Sequence, residues 1–225
     1  SLAAQHLDAL AGAVGSGKAQ LRWAIAGRSV AKLRPLERRC ATRPTVFKAE
    51  TPQELAALAA NCRVLIAAAG PYQLFGEEVV RACVEQGTHY VDVTGEVLWV
   101  RDMIDKFHAR ARAKGVMVVH CVGQICAIDE MICYLLAKKL GPLRQFREYS
   151  TQYGAMTGGT YATNLVTLQG MTPEAARAQS DPFLLGGQRS CGLRPEDGDC
   201  EAAVQDPVFP SLWLQPAYSS RTGPR

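Results

Sequence analysis

The 225-residue sequence has no dense block of lysine and arginine, no Cys-x-x-Cys pair and no apolar run long enough to cross a bilayer. Its net charge of +4 is spread along the chain, with Arg34, Arg38, Arg39 and Arg43 only loosely grouped. That distribution suits anionic small molecules and argues against nucleic acid as a partner. The cysteines fall mostly within apolar stretches, where a thiol acts as a small buried hydrophobe. Without paired spacing they read as reduced thiols of a cytoplasmic type of compartment. His120, Cys121 and Cys126 lack the spacing of a zinc site, so structural thiols are expected there rather than a metal. The longest nearly apolar stretch, 116–128, covers about 13 residues against the roughly 20 that a spanning helix needs, and His120 and Gln124 interrupt it. No secretory leader is read at the N-terminus, where residue 1 is Ser.

What is present is enough apolar material, 48% of residues, for a large core. Leu2, Ala3, Leu7 and Leu10 recur at helical spacing, with Gly12 placed as a C-terminal cap. The run 21–26 reads as a buried strand closed by Gly27, and 45–47 as a second short strand. Thr51-Pro52-Gln53-Glu54 carries an N-cap, a proline at the first helical position and the glutamate of a capping box, so a helix is expected to about Ala60. The continuous apolar run 64–69 suits a strand buried on both faces. A helix over 77–86 capped by Gly87, a strand over 89–93, a helix over 96–114, a strand over 116–121 and a helix capped by Asp129 and ending at Gly141 follow. Apolar strands alternating with helices are the pattern of a parallel α/β sheet built from βαβ units. Beyond Pro142 the texture changes. Residues 143–153 read as a strand of a more exposed sheet, 158–169 and a segment from Thr172 as helices, and the chain from Asp181 as mostly loop. The expected division is therefore 1–142 and 143–225.

Gly12-Ala-Val-Gly-Ser-Gly17-Lys18-Ala19 has the spacing of a phosphate-binding P-loop but not its setting. A strand should precede it, a helix should follow, and Ser or Thr should stand where Ala19 does. A helix-to-strand connection is expected instead. Arg28 and Ser29 end the 21–27 segment, where an NAD-binding domain places an acidic residue against the ribose hydroxyls. A guanidinium and a hydroxyl at that point suit a 2′-phosphate. Ala69-Gly70-Pro71-Tyr72 ends the next apolar strand, with Gly70 allowing close approach of a ribose or nicotinamide, and with Tyr72 free to stack, to donate or to pack. Asp92, Thr94, Gly95 and Glu96 end the third strand on the same edge. Glu96 can serve the site or cap the following helix. His89 and His120 read as satisfied structural histidines, His120 being the better placed for a site.

The segments Trp23-Ala-Ile-Ala-Gly-Arg-Ser29, Ala69-Gly-Pro-Tyr72 with Gly76-Glu77, and Tyr90-Val-Asp-Val-Thr-Gly-Glu96 resemble the saccharopine-dehydrogenase-like oxidoreductases, most of all the branch with the trans-acting enoyl reductases. Thr157-Gly-Gly-Thr160 and Asp181-Pro-Phe-Leu-Leu185 are similar to second-domain motifs of that branch. The resemblance implies a Rossmann-type parallel sheet followed by the start of a second α+β domain. It also implies NADP, with NAD as the alternative, and hydride transfer to or from a C=N, C=O or enoyl C=C bond of a small-molecule substrate. Arg28 and Ser29 would read the adenosine ribose, Ala69 to Tyr72 the centre, and Thr94, Gly95 and Glu96 the nicotinamide end; no catalytic residue is assigned.

In the family a Gly-x-x-Gly-x-x-Gly loop follows a first strand and precedes the helix that here begins the chain. Neither that strand nor that loop is found, and Gly123-Gln-Ile-Cys-Ala-Ile-Asp129 departs from the family's Gly-Phe-Asp-Ser segment. A first strand of this fold lies mid-sheet. Its loss would orphan buried ladder groups at about 1 to 3 kcal/mol each, so a fragment of a longer chain is expected, binding cofactor poorly by itself. The other reading is a non-catalytic nucleotide-binding scaffold or sensor. A homodimer and a peripheral association with membranes or lipid droplets are left open as assemblies.

Overall fold

A computed structural model of the chain describes residues 2–13, 21–141, 157–181 and 184–185. Helix α1 (Leu2–Ala13) leads to β1 (Ala24–Gly27), α2 (Val30–Arg39), β2 (Thr45–Lys48), α3 (Pro52–Ala60), β3 (Val64–Ala67), α4 (Tyr72–Gln86), β4 (His89–Asp92), α5 (Val97–Ala113), β5 (Val118–Val119), α6 (Gln124–Leu140), α7 (Gly158–Gln169) and α8 (Pro173–Gln179). Every strand pair is parallel, β1 with β2 and β3 with β4 with β5. The chain is thus an α/β protein of Rossmann type, as the alternation of apolar runs and helices requires.

The strands form two sheets, β1-β2 and β3-β4-β5. In a doubly wound sheet of order 3-2-1-4-5-6 these are the two flanks, and the central place between β1 and β3 is held by no strand among the described residues. The expectation of strands buried on both faces fails. Ile25 is the one buried residue of β1, and Val64 and Ile66 of β3 stand 49% and 50% exposed.

The register explains which face is covered. Leu65, Tyr90 and Val118 are aligned across β3, β4 and β5 and pack into the core, whereas Ile66, Val91 and Val119 are aligned on the opposite, open face. The core lies between the first face and the helices α4 and α5. Val80, Cys83 and Val84 supply one stripe, and Trp99, Val100, Met103, Phe107 and Ala111 the other, at the spacings that keep a helix face together. Close approach of the two helices depends on Gly76, since a β-carbon there would stand 2.5 Å from the Trp99 ring. Leu185 packs against the same core, and Arg101 donates to the Leu184 carbonyl.

Local signals act as the sequence implies at several ends. Thr51 and Glu54 form a complete capping box, Gly87 ends α4 in the left-handed conformation at φ 77°, and Thr157 and Thr172 cap α7 and α8. Elsewhere the boundaries move. Gly12 lies inside α1 rather than after it, α4 begins at Tyr72, and α6 begins at Gln124 with Asp129 in its interior. Strand β1 starts only at Ala24 and β5 spans two residues, because pairing partners extend no further. Helix α2 is an addition: Pro35 and its many charges hide the helical pattern. The strand expected over 143–153, most of the P-loop-like stretch and the loop expected beyond residue 185 lie outside the described residues.

Candidate functional site

Four turns meet along the carboxyl edge of the strands, the place where open α/β sheets bind ligands. After β1, residues Gly27, Arg28, Ser29, Lys32 and Leu33 line a concavity of about 240 Å³. Ser29 is the N-cap of α2, yet its side chain makes no capping hydrogen bond, so the hydroxyl is not spent on the helix. The exposed guanidinium of Arg28 lies 4.9 Å over the Phe75 ring of α4, a cation–π placement that limits where its donors point. The helix terminus, two cations and a hydroxyl together make an anion-binding corner. Lys32 was not found by reading the sequence. Its only signal is its spacing of three from Ser29, which counts only once α2 is known to be helical.

After β3, Ala69 and Gly70 are exposed, whereas Pro71 and Tyr72 are buried. The Tyr72 hydroxyl donates to the Ala67 carbonyl at 2.8 Å, and its ring lies 5.6 Å from that of Trp99. Burial pushes this phenol up to about 12. Of the roles open to Tyr72, packing is the one its surroundings occupy. Thr163 of α7 closes over the turn, standing 3.2 Å from where a β-carbon on Gly70 would be.

After β4, Thr94 and Glu96 are buried and Gly95 is exposed. Glu96 stands at the N-cap position of α5 without a side-chain cap there, and its side chain caps α4 instead. Its two carboxylate oxygens accept from the backbone N–H groups of Tyr72 at 2.8 Å and Gln73 at 2.7 Å. Its own N–H donates to the Thr94 hydroxyl, and the Thr94 N–H donates to Asp92 Oδ1. Asp92 Oδ1 also accepts from the Cys121 N–H at 3.0 Å, and Asp92 Oδ2 lies 2.6 Å from His120 Nδ1. The His120 ring is held edge-on between Trp99 and Tyr90. Two buried carboxylates therefore tie together the turns after β3, β4 and β5. Cys121, at φ 63°, takes the left-handed turn that brings its N–H to Asp92. The Asp92–His120 pairing spans 28 residues and carries no local sequence signal.

The residues singled out from the sequence thus fall into two groups. Arg28, Ser29, Ala69, Gly70 and Gly95 present atoms outward, while Pro71, Tyr72, Thr94 and Glu96 brace them from behind. The donor set at Arg28, Ser29 and Lys32 fits a phosphate monoester. Among the described residues no glycine-rich loop follows a strand to cradle a pyrophosphate.

Comparison with known proteins places the chain among relatives. Residues 11–119 match the family described as the saccharopine dehydrogenase NADP binding domain. A putative trans-acting enoyl reductase of Mycobacterium tuberculosis is 33% identical over 196 residues, covering 79% of this chain and 45% of the relative. A lipid droplet localized protein of Caenorhabditis elegans is 31% identical over 208 residues, covering 86% of this chain and 46% of its own length. The chain thus spans about half the length of the curated relatives it matches. Apo saccharopine dehydrogenase (L-Glu forming) from Saccharomyces cerevisiae shares the fold with a TM-score of 0.50 at 17% identity, over 62% of this chain and 29% of that one.

Proposed function

We propose that the chain, whose residues 11–119 match the saccharopine dehydrogenase NADP binding domain family, is the cofactor-binding portion of an NADP-dependent oxidoreductase. The observation that carries the proposal is the corner formed by Arg28, Ser29 and Lys32 at the start of α2. It offers cationic and hydroxyl donors at the position where an NAD-specific domain holds a carboxylate. These three residues would bind the 2′-phosphate, the exposed backbone of Ala69 and Gly70 would lie along the central part of the dinucleotide, and Gly95 would border the nicotinamide end. NADPH supplies a hydride when bound, and a C=N, C=O or enoyl C=C bond is the acceptor class in keeping with the relatives. The chain's own part is to bind, to orient and to exclude water; the substrate pocket is assigned to no residue here.

A titration tests this. NADPH is expected to bind more tightly than NADH, and Arg28→Ala together with Lys32→Ala is expected to weaken NADPH by about a hundredfold, since hydrogen bonds to charged groups contribute roughly 1.5 to 3 kcal/mol each. NADH binding should change little. Equal losses for both cofactors would sink the 2′-phosphate assignment. A second reading, a nucleotide-binding scaffold at a lipid surface, is favoured by the worm relative and by the apolar side chains that α6 exposes at Ile128, Met131 and Leu135. Among the described residues no helix is long and apolar enough to cross a membrane, so that contact would be peripheral. Cofactor binding without turnover of an enoyl thioester or saccharopine would favour the scaffold.

A further inference from the structure

Glu96 stands apart from the other acidic residues of the edge. It is 8% exposed, it comes from the turn after β4, and both its oxygens are used by a helix that starts 24 residues earlier. The first N–H groups of a helix have no partner within the helix and form its positive end. At α4 that end is filled by a fixed internal carboxylate, so no phosphate of a ligand can take it. The backbone of Glu96 is itself held in place, its N–H donating to the Thr94 hydroxyl while the Thr94 N–H donates to Asp92.

The turn that Glu96 fixes is the one with exposed backbone at Ala69 and Gly70, immediately ahead of α4. One turn into α4, Phe75 receives the guanidinium of Arg28. The first turn of α4 is therefore a shared platform: its start is clamped by Glu96, and its next residues meet the cationic corner that follows β1. Arg28 and Lys32 line the corner after β1, while the carboxyl groups of Glu96 and Asp92 are buried behind the turns after β3 and β4. A dinucleotide laid with its 2′-phosphate at that corner brings its central part over the clamped turn and its nicotinamide end toward Gly95.

We infer that Glu96 is a positioning residue for the part of a bound dinucleotide that lies beyond its adenosine 2′-phosphate, acting through the backbone it holds at Tyr72 and Gln73 rather than by touching the cofactor. The inference rests on the cofactor-binding reading above. Its test compares two ligands on the full chain: NADPH, which reaches across the clamped turn, and adenosine 2′,5′-bisphosphate, which fills only the corner at Arg28, Ser29 and Lys32. Glu96→Ala is expected to weaken NADPH by about tenfold, as a preorganised turn becomes free to move, and to leave the bisphosphate within about twofold. Glu96→Gln, which keeps one acceptor oxygen, is expected to fall between wild type and Glu96→Ala for NADPH alone. It carries the comparison if circular dichroism shows Glu96→Ala unfolded. Equal weakening of both ligands would make Glu96 a general structural residue and overturn the inference, as would unchanged NADPH binding. Because the chain is expected to hold the whole cofactor weakly, the readout is the ratio of the two affinities; failure of wild type to bind the bisphosphate, which needs only the corner at Arg28, Ser29 and Lys32, would overturn the cofactor reading and this inference with it.

Discussion

The Asp8 carboxylate of α1 accepts from the Thr42 hydroxyl at 2.6 Å and from the N–H groups of Thr42 and Ala41, pinning the first helix to the turn ahead of β2. The Thr42 hydroxyl bond, then the Thr42 and Ala41 amides, hold the carboxyl below its usual range. A depressed folded value gives a definite sign. The stabilisation is fully present above the unfolded pKa of about 4 and is lost as pH falls through the lower folded value. Thermal unfolding followed from about pH 6 to pH 2 should therefore show a steeper acid loss for wild type than for Asp8→Asn. Identical pH profiles would remove Asp8 from the account of acid stability. The contact was not legible in the sequence, because Asp8 and Thr42 are 34 residues apart with β1 and α2 between them, and nothing local marks a carboxylate that reaches so far.

At the scale of elements, what could be read was what neighbouring residues decide among themselves. Thr51, Pro52 and Glu54 set the start of α3 within four positions. The structure has Glu54 N–H donating to Thr51 Oγ1 and Thr51 N–H donating to Glu54 Oε2. Thr51→Ala is expected to cost about 1 kcal/mol in chemical denaturation with an unchanged slope. A change below about 0.3 kcal/mol would mean that α3 is held by packing alone. Helix α2 was missed because Pro35 and its run of basic residues mimic a loop, and only its tertiary contacts with β1 and β2 reward the helical form. The anion corner was half legible for the same reason: Arg28 and Ser29 stand at a recognisable strand end, but Lys32 joins them only through a helix the pattern concealed. Glu96 was legible as a cap and illegible as to which helix it caps, since its partners at Tyr72 and Gln73 are distant in sequence.

At the scale of the whole molecule the sheet is divided. The apolar run of β3 says only that its residues avoid water, not that each finds cover: Val64 and Ile66 lie on the face that also leaves Val119 of β5 exposed. Such a division also governs how the protein behaves in a crowded solution. Among the described residues, the free sides of β1 and β3 present N–H and C=O groups with no ladder partner, next to bare valine and isoleucine side chains. An unguarded strand edge is a template for another chain's strand. Self-association should therefore rise with protein concentration and at salt levels that screen the net charge of +4. Ile66→Lys, which sets a charge on that open face as a gatekeeper, is expected to delay light scattering at least several-fold. A conservative change on the covered side, Leu65→Ile, should leave the onset of scattering where it was. If the two variants aggregate alike, the adhesive surface of this protein lies elsewhere than at its divided sheet.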